Sequence, residues 1–318
     1  MRIRALTTCF ALLAAGLLLS PPAMAEGDPE YSVPLELLRG SVDCNAEFVH
    51  LDREPVLLVH GTSGTPEEAW AWNYIENLPR QGFDVCWVRL PNRALSDQQE
   101  SAEYVVYALR LMHERAEGRK IDVIGHSQGG LLPRWALRWW PSLRDIVDDF
   151  VPLAAPAHGA SGAEMFCPTS CAPAVQQMKP DSRYLAALNS VDETPGDVDY
   201  TSIYSMTDEL VQPYTSPPLE GGTNIAIQDV CPGRVVHHYG IVYDAVAYAL
   251  VVDALVNPGP ADPARLPADI CLQTWMPGVN EIDVVAGNMM AYGNAYLAFG
   301  AYPPSDSEPE PKPYVDED

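Results

Sequence analysis

The chain has 318 residues, of which 47% are hydrophobic, and its formal net charge is −24. That length fits one large α/β domain or two small ones, and the apolar fraction can fill a sizeable core. A surface with so much negative charge repels phosphate backbones, which argues against a nucleic-acid-binding protein. An acidic surface otherwise indicates solubility and identifies no substrate.

The first 25 residues have the pattern of a secretory signal peptide. Arg2 and Arg4 give a basic start, residues 10–19 a short apolar run, and residues 23–25 a small-x-small cleavage site. The alternative is an uncleaved signal anchor. We expect export with cleavage near Ala25, hence a secreted, extracellular protein. No other apolar stretch is long enough to cross a bilayer, so we expect no stable membrane insertion.

Seven cysteines are present, and Cys9 leaves with the signal peptide. The six that remain are an even number in an exported chain, which favours disulfides. Their spacing predicts three local pairs: Cys44 with Cys86, Cys167 with Cys171, and Cys231 with Cys271. A zinc site is the competing interpretation, but no second CxxC or His-x3-His spacing supports it. We expect no metal site and no cofactor, and the sequence leaves calcium dependence open.

Short apolar runs alternate with longer amphipathic ones, which is typical of an α/β fold with a mostly parallel sheet flanked by helices. In chain order, the predicted strands are 56–59, 83–90, 121–124, 150–153, 201–204 and 224–227. The predicted helices are 98–117, 128–140, 240–255 and 280–299. The periodicity fails between residues 157 and 180, and a long irregular loop in a compact domain is usually functional.

The domain organisation predicted from these patterns is simple. Residues 1–25 are the signal peptide and residues 26–302 form one domain, without an internal repeat. Residues 303–318 are rich in proline and acidic residues, a composition that predicts a disordered acidic tail.

The candidate nucleophile is Ser127, in the run Gly125-His126-Ser127-Gln128-Gly129. An apolar strand leads into this Gly-x-Ser-x-Gly motif and an apolar-faced helix follows, which is the context of the nucleophile elbow of α/β-hydrolases. The two glycines avoid side-chain clashes across a sharp turn. The alternative is a structural glycine-rich turn. Pro133, just beyond the first turn of the predicted helix, is expected to kink it.

A serine hydroxyl needs a base to take its proton, and a carboxylate must orient that base. In this fold the acid and then the histidine follow the serine along the chain. Asp208 follows a predicted strand, with Glu209 as its competitor and a helix N-cap as its non-catalytic interpretation. His237 and His238 are the histidines that come after it, and chain order alone does not separate them.

The oxyanion hole is predicted from two backbone amides. Gly61-Thr62 follows the first predicted strand, where this fold has its first oxyanion loop. The N–H of Thr62 would donate to the oxyanion, its hydroxyl could add a bond, and the N–H of Gln128 is the second donor.

Five segments, in order along the chain, resemble the family of Candida antarctica lipase B. They are Gly61-Thr62, residues 127–131, residues 140–142, residues 207–209 with 211–213, and residues 231–240. The match runs from about Val33 to Cys271, and the Cys44–Cys86 and Cys231–Cys271 separations fit the family's first two disulfides. The resemblance implies hydrolysis of triacylglycerols and other carboxylic esters through an acyl-enzyme, without a metal.

The resemblance also implies roles for individual residues. His238 rather than His237 is the base, because His238-Tyr239-Gly240 matches the family's His-x-Gly. Thr62 contributes its backbone and its hydroxyl to the oxyanion hole. The helix at 280–299 is similar to the one that walls the substrate channel. The positions matching the family's acyl pocket are Gln177, Leu210 and Val211.

The chain departs from the family pattern at several positions. His126 replaces a tryptophan that floors the alcohol pocket, so we expect it to contact substrate, and Ala157 replaces an acidic residue on the acyl side. The third family disulfide is missing. The Cys167–Cys171 pair is new, and it is interpreted equally well as restraining a lid or as a structural staple.

Three further functions stay open at this point. A secreted carboxylesterase or an acyltransferase would use the same triad, whereas a non-catalytic lipid-binding protein would need only the pocket. All triad positions are filled, which favours the enzyme. The expected partner is an ester or lipid substrate at a lipid–water interface, bound by a monomer.

Overall fold

The structure is a computed structural model, and it describes residues 25–45, 48–50 and 52–315. The signal peptide expected at residues 1–25 lies outside these residues except for Ala25. Among the helices of the described chain, none combines the length and the apolar character needed to span a bilayer.

The strands of the described chain form one seven-stranded sheet in the order β1-β3-β2-β4-β5-β6-β7. Strand β1 is antiparallel to β3, and the remaining pairs are parallel. The strands are β1 (Val42–Cys44), β2 (Val56–Val59), β3 (Val85–Val88), β4 (Ile121–His126), β5 (Val147–Leu153), β6 (Asp199–Tyr204) and β7 (Thr223–Ala226). The predicted α/β class, mostly parallel and flanked by helices, is confirmed; the short β1 was not predicted.

Helices cover both faces of this sheet. They are α1 (Leu35–Arg39), α2 (Pro66–Ala69), α3 (Tyr74–Asn77), α4 (Gln98–Arg115), α5 (Leu132–Trp139), α6 (Ser161–Phe166), α7 (Pro173–Gln176), α8 (Arg183–Leu188), α9 (Ile227–Val230), α10 (Ala245–Val256) and α11 (Glu281–Ala301). Leu57 and Val59 of β2 belong to a core shared with α4 and α5, whereas Val56 and Leu58 belong to a second core shared with α10. A parallel sheet buried on both faces explains the continuous apolar runs.

The helix after the nucleophile begins later than predicted. A 3-10 helix covers Ser127–Gly130, and α5 begins at Leu132. Pro133 therefore lies in the first turn of α5, where its missing N–H costs no intrahelical hydrogen bond. The kink expected at Pro133 is wrong for that reason.

The C-terminal segment, for which the composition predicts disorder, makes several contacts with the domain through residues 303–315. Ser305 forms a β-bridge with Cys171, and Arg183 makes ion pairs with Glu308 and Glu310. The hydroxyl of Tyr314 accepts a hydrogen bond from Trp135 at 3.1 Å. The half-buried Tyr314 and several ionic contacts thus join this segment to the domain. Residues 316–318 lie outside the described chain.

All three predicted disulfides are present. Cys44–Cys86 joins the paired strands β1 and β3, and Cys231–Cys271 joins the end of α9 to the segment after α10. Cys167–Cys171 closes a loop of four residues directly after α6. The Cys167–Cys171 disulfide therefore lies between α6 and the C-terminal segment, whose Ser305 pairs with Cys171.

Candidate active site

The turn after β4 has the geometry of a nucleophile elbow. Ser127 has a φ of 56°, a left-handed conformation that is strained for a side-chain-bearing residue. A Cβ at Gly125 would lie 2.1 Å from the carbonyl oxygen of Gly129, and a Cβ at Gly129 would lie 2.2 Å from that of Val59. Neither position tolerates a side chain, so both glycines of the motif are needed for the turn that presents Ser127 at the carboxyl end of the sheet.

Ser127, His238 and Asp208 form one hydrogen-bonded chain. The Oγ of Ser127 lies 2.9 Å from Nε2 of His238, and Nδ1 of His238 lies 2.7 Å from Oδ2 of Asp208. The other oxygen of Asp208 accepts the amides of Leu210 and Val211, each at 2.8 Å. All three side chains are buried. The structure thus brings together the three residues predicted for the triad.

The competing candidates occupy other positions. The Nε2 of His237 lies 2.8 Å from the hydroxyl of Tyr243. The carboxylate of Glu209 accepts the backbone N–H of His238 at 2.8 Å, whereas the His238 imidazole hydrogen-bonds Asp208. Of the candidates that chain order left open, His238 and Asp208 are the ones that hydrogen-bond in line with Ser127.

Asp208 and His238 shift each other's pKa. Burial disfavours the charged form of both groups, but the opposite charge and the shared hydrogen bond outweigh it. The pKa of Asp208 lies below its ordinary value, with help from the two backbone amides, and the pKa of His238 lies above its ordinary value. A basic imidazole beside a serine hydroxyl is what a general base requires.

The predicted oxyanion residues flank Ser127. A Cβ at Gly61 would lie only 3.0 Å from the Cβ of Ser127, so the Gly61-Thr62 loop abuts the nucleophile. The hydroxyl of Thr62 donates to Oε1 of Gln128 at 2.6 Å. Within the described chain, Nε2 of Gln128 is buried without a hydrogen-bond partner. Rotation of this amide would let Nε2 donate to Thr62 and would free the threonine hydroxyl for a substrate oxygen.

His126 lies beside His238 and makes a hydrogen bond to its main chain. Its Nε2 lies 3.1 Å from the carbonyl oxygen of His238, and the two rings are 4.9 Å apart. Burial, together with the nearby His238, lowers the pKa of His126 to about 3, so the ring is neutral. The polar pocket floor expected from the sequence is thus tied to the main chain of His238.

The three residues expected in the acyl pocket differ in their surroundings. Gln177 is buried, and its amide bonds the N-terminus of α4: Nε2 donates to Asp97 at 2.6 Å and Oε1 accepts the N–H of Gln98 at 2.8 Å. Its polar atoms are therefore occupied by structure. Leu210 and Val211 lie beside Asp208, and the carbonyl of Leu210 accepts the amide of Gly162 in α6.

Helix α11 carries a row of exposed apolar side chains that the sequence did not identify as exposed. Gly287 packs it tightly against Trp72, since a Cβ there would lie 2.3 Å from the indole ring. Phe299, near its end, stacks on Phe166 of α6 at 5.9 Å. The exposed apolar residues of α11 are Ile282, Val285, Met289, Met290, Tyr292, Tyr296 and Leu297, and α6 adds Met165 and Phe166.

A group of acidic residues lies at the opposite ends of the strands. Asp122, Asp148 and Asp149 each have a carboxylate oxygen within 4.8 Å of the others, and they stand at the beginnings of β4 and β5. Burial, followed by repulsion from Asp148, raises the pKa of Asp149 to about 8. Burial and Asp149 raise the pKa of Asp122 well above its ordinary value. These shifts favour protonated carboxyl groups at neutral pH, far from Ser127.

Comparisons with known proteins identify the family of this chain. Residues 53–217 match the model of the family described as lipase (class 2), which is just over half of the chain. Lipase B of Pseudozyma antarctica is 30% identical over 305 residues, covering 91% of this chain and 86% of that protein.

Solved structures show the same fold, and one of them is also similar in sequence. The crystal structure of Aspergillus fumigatus lipase B is 31% identical with a TM-score of 0.84, covering 92% of this chain and 75% of that one. Bacillus licheniformis lipase BlEst2 in its mature form, 17% identical with a TM-score of 0.52 over 64% of this chain and 93% of that one, shows likeness of fold alone. The chain therefore belongs to the class 2 lipase family and is a carboxylic ester hydrolase.

Proposed function

We propose that the chain is a secreted triacylglycerol lipase that works through Ser127, His238 and Asp208 and forms an acyl-enzyme. The observation that carries the proposal is the hydrogen-bonded chain from Ser127 to Asp208, with distances of 2.9 and 2.7 Å, at the elbow after β4. Nucleophile, base and orienting acid lie in the relationship that activates a serine hydroxyl.

In the first half-reaction, Oγ of Ser127 attacks the ester carbonyl carbon while Nε2 of His238 takes the hydroxyl proton. Asp208 holds the imidazole by its Nδ1–H and stabilises the charge that appears on it. The imidazolium then gives its proton to the leaving alcohol as the C–O bond breaks. The acyl group remains on Ser127.

In the second half-reaction, a water molecule replaces the alcohol. His238 takes its proton as the oxygen attacks the acyl carbon, then returns that proton to Ser127 as the acid leaves. In both halves the carbonyl oxygen becomes negative, and the amides of Thr62 and Gln128 donate to it. Loss of one such donor typically raises the barrier by about 3–4 kcal/mol.

A water-insoluble substrate is favoured by the surface beside the site. The exposed apolar side chains of α11 and α6 form a patch of the kind that soluble monomers keep for interaction sites. This patch would bind a lipid–water interface and admit long acyl chains from it. The relatives named lipase B support the same substrate class.

Export is supported by the three disulfides, because such bonds persist in oxidising compartments. N-terminal sequencing of protein recovered from culture medium tests cleavage near Ala25. The proposed monomer is tested by the mass of the purified protein in solution.

The experiment that tests the function compares Ser127→Ala with Ser307→Ala on a p-nitrophenyl ester and on triolein. Ser307 is exposed, and it hydrogen-bonds Ser305 through its own backbone N–H and carbonyl groups. Ser127→Ala should abolish turnover of both substrates while Ser307→Ala retains it. Wild-type rates in Ser127→Ala would refute the proposal, and ester turnover without triolein turnover would make the protein a carboxylesterase.

A further inference from the structure

Two side chains hydrogen-bond the main chain of His238, one at its N–H and the other at its carbonyl group. Its N–H donates to Oε2 of Glu209 at 2.8 Å, and its carbonyl oxygen lies 3.1 Å from Nε2 of His126. Glu209 directly follows Asp208, so one short segment holds both the imidazole and the backbone of the same histidine.

Glu209 also connects this histidine to the apolar helix α11. The hydroxyl of Tyr292 donates to Oε1 of Glu209 at 3.3 Å, while Oε2 receives the N–H of His238. The Tyr292 ring packs near Tyr239, the next residue after His238, with ring centres 6.1 Å apart. A single carboxylate thus links α11 to the backbone of His238.

His126 holds the carbonyl group of His238 from within the core. Its ring packs edge-on against Trp70 at 6.4 Å and against Tyr239 at 6.0 Å. A neutral imidazole carries one N–H, and the nitrogen that faces a carbonyl oxygen must carry it. Nε2 of His126 is therefore the donor, and the hydrogen bond to His238 fixes both the tautomer and the ring.

We propose that Glu209 and His126 are positioning residues that form a backbone clamp on His238, an inference that rests on the proposed triad. His238 begins a 3-10 helix of five residues, His238–Val242, and the first amides of a helix have no intrahelical partner. The clamp supplies that partner on one side and anchors the carbonyl on the other. Because the imidazole exchanges a proton with Ser127 and with the leaving group, small displacements of its backbone cost rate.

The charge of Glu209 gives the clamp a second, measurable consequence. Its carboxylate lies beside His238 and adds to the effects that raise the pKa of that imidazole. A glutamine at this position keeps an oxygen for the N–H and a polar group for Tyr292, but it removes the charge. The two effects of Glu209 can therefore be separated.

The test compares Glu209→Ala with Glu209→Gln, and Glu114→Gln serves as a charge-matched control at an exposed position of α4. We expect Glu209→Ala to lower kcat on a soluble ester about tenfold with little change in KM. Glu209→Gln should restore kcat to within about threefold of the wild type and shift the acidic limb of the pH profile to lower pH. Glu114→Gln should change neither quantity.

The contribution of His126 is tested in the same way, by comparing a variant that loses the hydrogen bond with one that keeps it. His126→Phe keeps a buried ring without the donor, and His126→Gln retains an N–H that can reach the carbonyl of His238. We expect kcat to fall about tenfold in the first and to recover in the second. Hydrogen exchange at the His238 amide, measured in folded protein, should accelerate in Glu209→Ala and in Tyr292→Phe, which loses the donor to Glu209.

Two results would overturn the clamp. Wild-type kcat in both Glu209→Ala and His126→Phe is one, and an unchanged pH profile in Glu209→Gln together with unchanged exchange at His238 is the other. Failure of the proposed function is distinguishable, since it would appear as turnover by Ser127→Ala. An inactive Ser127→Ala beside fully active Glu209→Ala and His126→Phe would refute the clamp and leave the proposed function intact.

Discussion

Nδ1 of His238 lies 2.7 Å from Oδ2 of Asp208, and both groups are buried. The other Asp208 oxygen is fixed by the amides of Leu210 and Val211, so the carboxylate is held before it meets the imidazole. This arrangement keeps Asp208 ionised and makes His238 more basic than an ordinary histidine. The pH dependence of activity follows from it.

We predict that kcat/KM rises with pH, with a midpoint above the ordinary histidine pKa of about 6.5. Protonated His238 cannot accept the Ser127 proton, so activity is lost as pH falls through the raised pKa. The measurement is kcat/KM on a soluble ester from pH 4 to pH 9. Asp208→Asn should lower kcat by roughly 10³–10⁴-fold. A rate that stays flat between pH 5 and pH 8 would contradict the assignment of His238.

A second prediction concerns stability and the buried Asp149. Its pKa is about 8 in the folded chain, whereas an unfolded aspartate titrates near its ordinary value of 3.8. Between these values folding takes up a proton, so the free energy of unfolding falls as pH rises, by up to about 1.4 kcal/mol per pH unit. Asp149→Asn removes this cost, and we expect its advantage over the wild type to be larger at pH 8 than at pH 5.

Urea unfolding at the two pH values measures this difference. Asp145→Asn is the matched control, because Asp145 is an exposed aspartate that does not contribute to the raised pKa of Asp149. It should not reproduce the gain. Equal effects of Asp149→Asn at pH 5 and pH 8 would show that the Asp149 carboxyl titrates normally.

The sheet and the elbow were predictable from the sequence because their determinants are local. The strand that ends just before Ser127 is mainly apolar, with Asp122 near its start. A Cβ at either glycine of the motif would lie within 2.5 Å of a backbone oxygen, so both glycines are required. Asp208 followed from its position after a strand. Chain order could not separate His237 from His238, because they differ in the partners they meet in the folded chain. His237 faces the hydroxyl of Tyr243, whereas His238 faces Ser127.

Features that depend on contacts between residues far apart in the chain could not be predicted from the sequence. Strand β1 has three residues and exists through its pairing with β3. The C-terminal segment looks disordered by composition, yet Tyr314 bonds Trp135 far away in the chain. Glu209 likewise appeared only as a competitor for Asp208, because its contact with the His238 backbone requires two loops to meet.

The three disulfides should differ in their contribution to stability. Cys44–Cys86 closes 42 residues and Cys167–Cys171 closes only four. In the chain-entropy model these loops correspond to about 4 and about 2 kcal/mol, respectively. We expect the double serine variant of the first pair to lose more stability in urea unfolding than that of the second. The reverse order would mean that the short bridge supports structure beyond its own loop.

The same short bridge distinguishes a staple from a lid restraint. If Cys167–Cys171 is a staple, its double serine variant should keep wild-type rates on tributyrin and triolein at temperatures where it is folded. We expect this result, because Cys171 is also held by its bridge to Ser305. A change in the triolein rate alone would assign the segment to a lid.

Binding to a lipid surface should depend on the exposed apolar side chains of α11. Leu297 is 67% exposed, and Leu272, which lies outside α11, is 86% exposed. Leu297→Glu should reduce the rate on emulsified triolein about 30-fold, since burial of one leucine contributes about 2 kcal/mol. Leu272→Glu should have no such effect, and neither variant should change the rate on soluble tributyrin. Equal triolein rates in both variants would exclude α11 as the lipid-binding surface.

The account depends most on Ser127 being the atom that forms the covalent intermediate. The most direct measurement is peptide mass spectrometry after stoichiometric reaction with a p-nitrophenyl alkylphosphonate, which traps an activated serine. We predict one phosphonyl group per chain, located on Ser127, with labelling lost in Ser127→Ala and greatly slowed in His238→Ala. An adduct on another residue, or undiminished labelling of Ser127→Ala, would contradict the account.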